Sequence, residues 1–168
     1  MHHRACVPYV LAVSLGFTAA ATAHGNTRGE AKVSLAGKPI VVNYGRPSLN
    51  GRDMLGKAEV GQEWRMGADA PTTLDTPVSL SFGPARVPPG QYVLRAKKVS
   101  DKDWVLKLER DGKAAAEVPL QSSPLDKSVE VFTIDLAEEQ GQGVFRMSWG
   151  TVALSTRFTA RPSYRSSM

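Results

Sequence analysis

Apolar and polar residues alternate along most of the chain. In Lys38–Tyr44, Ile40, Val42 and Tyr44 share one face while Val41 and Asn43 share the other. The same period of two runs through Val78–Phe82, Tyr92–Lys97 and Trp104–Glu109. It returns in Phe132–Leu136, Phe145–Trp149 and Val152–Phe158, and in weaker form in Ala31–Leu35. Successive side chains of a strand point to opposite faces, so each run predicts a strand with one buried side. One polar face per strand is the mark of antiparallel sheets covered on one side only.

Turn-forming residues punctuate these runs. Ser100–Asp103, Asp111-Gly112 and Gly141–Gly143 each predict a hairpin turn. Pro88-Pro89-Gly90 predicts a strand start, because proline cannot donate within a ladder. Eight to nine such strands predict an all-β, antiparallel β-sandwich or jelly-roll-like domain over residues 31–161, with a closed barrel as the alternative. Short helical turns are expected at most in Gly51–Gly61 and at residues 137–140. Residues 24–30 are expected to be a flexible lead and 162–168 a frayed tail.

The N-terminus follows a different rule. Met1-His-His-Arg4 is basic, Ala5–Ala21 carries no charge, and Ala21-Thr-Ala23 offers small residues at a cleavage position. This is the layout of a secretory signal peptide over residues 1–23, and it predicts a periplasmic or secreted protein. The uncharged run is too short for a comfortable membrane span, which needs about 20 apolar residues. No later run is long enough either, so no transmembrane segment is expected after cleavage.

Cleavage changes the available chemistry. The chain has 168 residues, a formal charge of +5, one cysteine and three histidines. The leader holds Cys6, His2, His3 and Arg4, so the mature chain keeps no cysteine, one histidine (His24) and a charge of +4. A Cys–His pair or a Ser–His–Asp triad cannot then be built. A metal site with two histidines is excluded as well, and no cofactor is expected. A charge of +4 without a dense basic stripe argues against a nucleic-acid partner. Lys97, Lys98, Lys102 and Lys107 are expected to form a solvated face that protects a sheet edge.

Residues 44–75 interrupt the strand pattern with Gly, Pro and polar side chains, through which Arg46, Arg52 and Arg65 are spaced. A long irregular segment inside a β domain costs ordering entropy and needs a reason. Arginine grips carboxylate or phosphate with a planar fork, so one reason is an anion pocket. In that reading the arginines supply charge, while Tyr44, Trp64, Asp69, Thr72 and Thr73 shape the pocket. The alternative is architectural, with the arginines paired to Asp53, Glu63, Asp69 or loop carbonyls. Trp104 and Trp149 are in phase with core residues and belong to the core. Trp64 stands outside that phase and is the better candidate for a pocket wall. Tyr44 ends the core face of its strand, from which its hydroxyl could reach the same loop.

Several blocks in this region resemble those of bacterial exported proteins of domain of unknown function family 2911. They are Tyr44–Arg52, which reads Tyr-x-Arg-Pro-Ser-x-x-Gly-Arg, and Trp64–Ala68 followed by Thr72 and Thr73. Pro88–Tyr92, Trp104–Leu106 and Trp149-Gly150 continue the series. Asp69, Met66 and Pro71 depart from it, standing where Asn, Thr and a small residue are usual. The resemblance covers about residues 31–160. It implies an exported all-β domain whose defining feature is the two arginine-containing blocks, and it implies no activity.

The expected function is therefore a non-enzymatic β-sandwich that binds a small anionic or polar ligand, or a cell-envelope component, through its arginine-rich loop. Two alternatives come from other classes. One is a hydrolase of glycan or peptide, which needs two carboxylates across the scissile bond. Asp53, Glu63, Asp69 and Asp75 are the acids available to it in the segment. The other is a structural module of the cell envelope.

Overall fold

The computed structural model describes residues 26–161. The expected signal peptide, His24 and the expected tail at 162–168 lie outside the described residues. The described chain is all-β and contains no helix. In order, the strands are β1 (Arg28–Leu35), β2 (Lys38–Gly45), β3 (Glu63–Trp64), β4 (Thr73–Thr76) and β5 (Ser79–Phe82). They continue with β6 (Ala85–Val87), β7 (Gly90–Lys98), β8 (Trp104–Arg110), β9 (Lys113–Glu139) and β10 (Gln142–Arg161).

These strands form one continuous antiparallel sheet in the order β1-β2-β4-β7-β8-β9-β10-β5-β6, with β3 pairing β7 beyond the end of β4. The sheet is open and not closed into a barrel, leaving β1 and β6 as edges. It folds over on itself. Tyr44 of β2 meets the ring of Phe132 of β9 edge-on at 5.7 Å, and its hydroxyl donates to the carbonyl oxygen of Ile134 at 3.2 Å. Strands β2 and β9 are four places apart in the sheet, so this contact requires two facing layers. The sandwich expected from the sequence is thus made from a single folded sheet.

The alternation does the packing. Ile40, Val42 and Tyr44 of β2, Tyr92, Leu94 and Ala96 of β7, and Trp104, Leu106 and Leu108 of β8 are all buried in one core. Phe132 and Ile134 of β9 join them, with Phe145, Met147 and Trp149 of β10. Fully burying a side chain of this size contributes about 1.5–3 kcal/mol.

Three hairpins turn through two-residue loops in which both residues have positive φ: Ala36-Gly37, Asp111-Gly112 and Gln140-Gly141. That geometry matches the right-handed twist of the strands it joins. The third loop corrects the helical turn expected at 137–140. Strand β9 runs on to Glu139, and the turn falls one residue before the expected Gly141–Gly143. Gly51–Gly61 contains turns but no helix. Arg28–Glu30, expected within the flexible lead, are paired with Asn43–Gly45 as the start of β1.

The lysine expectation also fails. Strands β7 and β8 lie in the middle of the sheet and not at an edge. Lys98 has the parity of Tyr92, Leu94 and Ala96 and is buried, its Nζ donating to the carbonyl oxygen of Ala58 at 2.8 Å. Lys107 forms an ion pair with Glu63 of β3.

At Gly45 the end of β2 passes against the backbone of Ala68. A Cβ at Gly45 would overlap the Ala68 carbonyl group, backbone that cannot swing aside. Gly45→Ala is expected to destabilise the protein by about 1–3 kcal/mol, as overpacking of a tight contact does. Urea unfolding would register this as a lower midpoint at unchanged slope.

Candidate functional site

The irregular segment is well anchored. Leaving β2, it lays Pro47–Leu49 along the free edge of β9. There Ser48 bridges Val131, the Leu49 N–H donates to Glu130 and the Phe132 N–H donates to Pro47. Leu49, Leu55 and Met66 are buried in the core. The segment then reaches β7, where Gly61 and Gln62 exchange backbone bonds with Lys98 before β3 and β4 pair with the same strand.

The eight candidate residues are spread along this path. Tyr44 is buried and gives its hydroxyl to Ile134 of β9, not to the segment. Trp64 is half-buried, stacked on Trp149 at 5.3 Å and edge-on to Phe132 at 4.8 Å. Trp64 therefore extends the core cluster, while its rim closes a small apolar crevice beside Met54, Leu55 and Trp104. Thr72 is buried and its hydroxyl donates to the carbonyl oxygen of Met66, fixing the turn between the two. Thr73 is half-buried in β4 between Asn43 and Val93. Asp69 is exposed, has a φ of 62°, and accepts the backbone N–H of Asn26 at 3.2 Å.

The three arginines do not converge. Arg52 is exposed, and its Nε donates to Leu49 within its own turn at 3.1 Å. Arg65 is exposed. Arg46 alone lines a sizeable cleft, of about 550 Å³, between β1 and the second half of β9. Arg46 has the parity of Tyr44 and passes over Gly29, where a Cβ would collide with both side chains. Its Nε is buried, with no hydrogen-bond partner among the described residues.

The rest of the cleft is polar. Arg28 and Lys32 of β1 add positive charge, and Glu30 and Asp135 add negative charge. Arg28 is held in place by bonds to the carbonyl oxygens of Ala70 and Pro71, at 3.1 and 3.4 Å. Tyr44 forms part of the wall, and because its hydroxyl proton goes to Ile134 its oxygen keeps acceptor capacity.

Comparison with known proteins places this architecture. A family model described as "Protein of unknown function (DUF2911)" matches residues 26–158. The chain belongs to that family. No curated protein and no solved structure matches it. The DUF2911 match spans both arginine-containing blocks and every strand except the last residues of β10.

Sequence reasoning missed Arg28, Lys32 and Asp135 of the DUF2911 chain. The signal for Arg28 was present. The tight Ala36-Gly37 turn sets a register that pairs Arg28 with Gly45, directly beside Arg46. Asp135 carries no such signal, because only the folding-over of the sheet brings it to β1.

The four acids of the segment have separate surroundings. Asp53 accepts the N–H of Gly56 at 2.9 Å, Asp69 binds Asn26, and Asp75 lies exposed in β4. The Lys107 hydrogen bond holds the Glu63 carboxyl below its ordinary 4.5, whereas a general acid needs the opposite shift. Among the described residues no group of three His, Cys, Asp or Glu side chains is placed to hold a metal ion. No helix among them is long and apolar enough to cross a membrane.

The Glu63–Lys107 pair has a defined pH signature. Glu63 is lowered by its bond to Lys107, so its contribution is present above 4.5 and is lost as pH falls through the folded value. Lys107 is raised by the same bond, so its contribution holds below 10.5 and is lost as pH rises through the folded value. Lys107→Gln is expected to lower the urea midpoint at neutral pH, with a smaller difference from the parent at a pH below 4.5. Paired urea titrations at the two pH values check this.

Proposed function

We propose that the protein is a non-enzymatic binding module that seats the anionic group of a small polar ligand on Arg46, in the cleft between β1 and β9. It acts outside the cytoplasm, after cleavage near Ala23. The export reading is supported by Arg4, the uncharged run Ala5–Ala21 and the small residues Ala21-Thr-Ala23. The binding reading rests on one observation, the buried Nε of Arg46 that has no partner among the described residues.

A buried donor left unpaired costs about 1–3 kcal/mol, more when it is charged. The Nε is shielded from the cleft, so a carboxylate or phosphate oxygen accepts its bond once the Arg46 side chain turns outward, and the guanidinium fork then binds two such oxygens side by side. Arg28 and Lys32 add positive charge along the β1 wall of the cleft. Glu30, Asp135 and the Tyr44 oxygen supply acceptors, which favours a ligand carrying hydroxyl or amine groups beside its acid. The cleft replaces the loop-centred pocket, since Arg52 and Arg65 take no part in it. The bonds of Thr72, Arg52 and Asp69 within the protein favour an architectural role for most of the segment.

A thermal-shift screen against organic acids and sugar acids tests the reading. At about 100 times its Kd a ligand of the cleft adds about 2.7 kcal/mol to stability, which raises the melting temperature by several degrees. Arg46→Met is expected to abolish the shift while leaving the ligand-free melting temperature unchanged or higher. Arg52→Gln and Arg65→Gln are expected to keep the shift. A screen in which no compound moves the parent would sink the proposal. So would a shift that survives Arg46→Met.

A further inference from the structure

A cluster of arginines lies at the other end of the sheet, on β10 and β6 with β5 between them, and the segment of residues 44–75 contributes nothing to it. The ladders place Thr159 opposite Ser81 and Ser81 opposite Arg86, while Arg161 lies opposite Ser79. Arg157, Thr159 and Arg161 alternate along β10 and so share one face, with Ser79, Ser81 and Arg86 beside them. The opposite face holds Leu80, Phe82, Val87 and Phe158, all buried.

Neighbouring strands lie about 4.8 Å apart, and alternate residues of one strand about 6.8 Å apart. Arg157 and Arg161 therefore flank Thr159 along β10, and Arg86 stands across the ladder from Ser81. Together they line a hollow of about 310 Å³. Among the described residues the only acid paired with any of the three is Glu139, which meets Arg157 at 2.5 Å. That pair is exposed on both sides, 53% and 45%, and an exposed pair is worth too little to exclude a competing anion. Among the described residues Arg86 and Arg161 have no ion-pair partner.

Like charges gathered on adjacent strands oppose folding. The core side already supplies the packing of this patch, so the fold does not require arginine on its outer side. We infer that the hollow binds a tetrahedral oxyanion, the phosphate or sulfate group of a ligand, held between the guanidinium groups of Arg86, Arg157 and Arg161 over the hydroxyls of Ser81 and Thr159. Three arginine arms arriving from different directions fit an anion with three or four acceptor oxygens. A planar carboxylate satisfies a single fork.

The test is an amide chemical-shift titration of the folded protein with inorganic phosphate, glucose 6-phosphate, sulfate and acetate. Phosphate is expected to move the amides of Ser81, Gly83 and Thr159 in a saturable way, with acetate at least about tenfold weaker, one lost charge-assisted bond being worth that factor. Tighter binding of glucose 6-phosphate than of inorganic phosphate assigns the site to an ester. Equal binding assigns it to the free anion, and preference for sulfate to a sulfate group. Arg86→Gln and Arg161→Gln change exposed side chains, and each is expected to weaken phosphate at least about tenfold. Arg46→Met is expected to leave these shifts intact, which separates this site from the cleft between β1 and β9. Equal binding of acetate and phosphate overturns the inference, as do shifts scattered over the surface lysines or an affinity unchanged by Arg86→Gln.

Discussion

The β9–β10 hairpin is the element on which the other strands depend. Strand β9 runs for 27 residues and β10 for 20, and together they belong to both layers. The first part of β9 pairs with β8, while the end of β10 pairs with β5. Between these two engagements the strands pair with each other, and the second half of β9 lies across the core from β2. Bending so long a ribbon requires a break in its ladder. The register slips on either side of Gly150, whose φ of 65° suits glycine, and β9 carries extra residues between Pro124 and Val129. A straight hairpin would leave Phe132 and Trp149 without the rings of Tyr44 and Trp64 to pack against.

The irregular segment solves a second problem created by this bend. Its backbone polar groups must be satisfied without a regular ladder. It does so by borrowing edges, first that of β9 through Ser48, then that of β7 through Gly61–Trp64. Between the borrowed edges Trp64 stacks on Trp149, so one aromatic cluster joins the segment, β2, β9 and β10. The arginines of the segment then divide by surroundings. Arg52 bonds its own turn and Arg46 is carried over Gly29 into the opening between the layers.

The fold was legible wherever burial alternates. The runs around Ile40, Leu80, Leu94, Leu106, Ile134 and Met147 all became strands with the expected face inward. Strands β3 and β6 were not legible, because two or three residues cannot display a period. The first half of β9 was hidden for a different reason. From Gln121 to Val131 most of its side chains are exposed, which removes the contrast that marks a strand. The all-β class and the core positions of Trp104 and Trp149 followed from phase. The site did not, because sequence neighbours such as Arg46, Arg52 and Arg65 diverge, while Arg46, Lys32 and Asp135 come to line one cleft only through tertiary folding. The placement of Tyr44 shows the limit well. Its side of the strand could be read from sequence, but its partner, 90 residues away, could not.

The lateral position of β5 has a kinetic side. Its ladder partners are β6, a three-residue strand, and the last three residues of β10. A hairpin as short as β5–β6 is marginal in water by itself. Leu80, Phe82 and Val87 therefore cannot settle into the core until residues 159–161 have arrived from nearly eighty positions along the chain. Closing so long a loop comes before any reward from the contacts it makes, so docking of β5 and β6 is a late step and folding is slow for a domain of this size. The hairpin that organises the molecule also follows every other described strand along the chain, and until it forms the strands before it have no second layer to pack against.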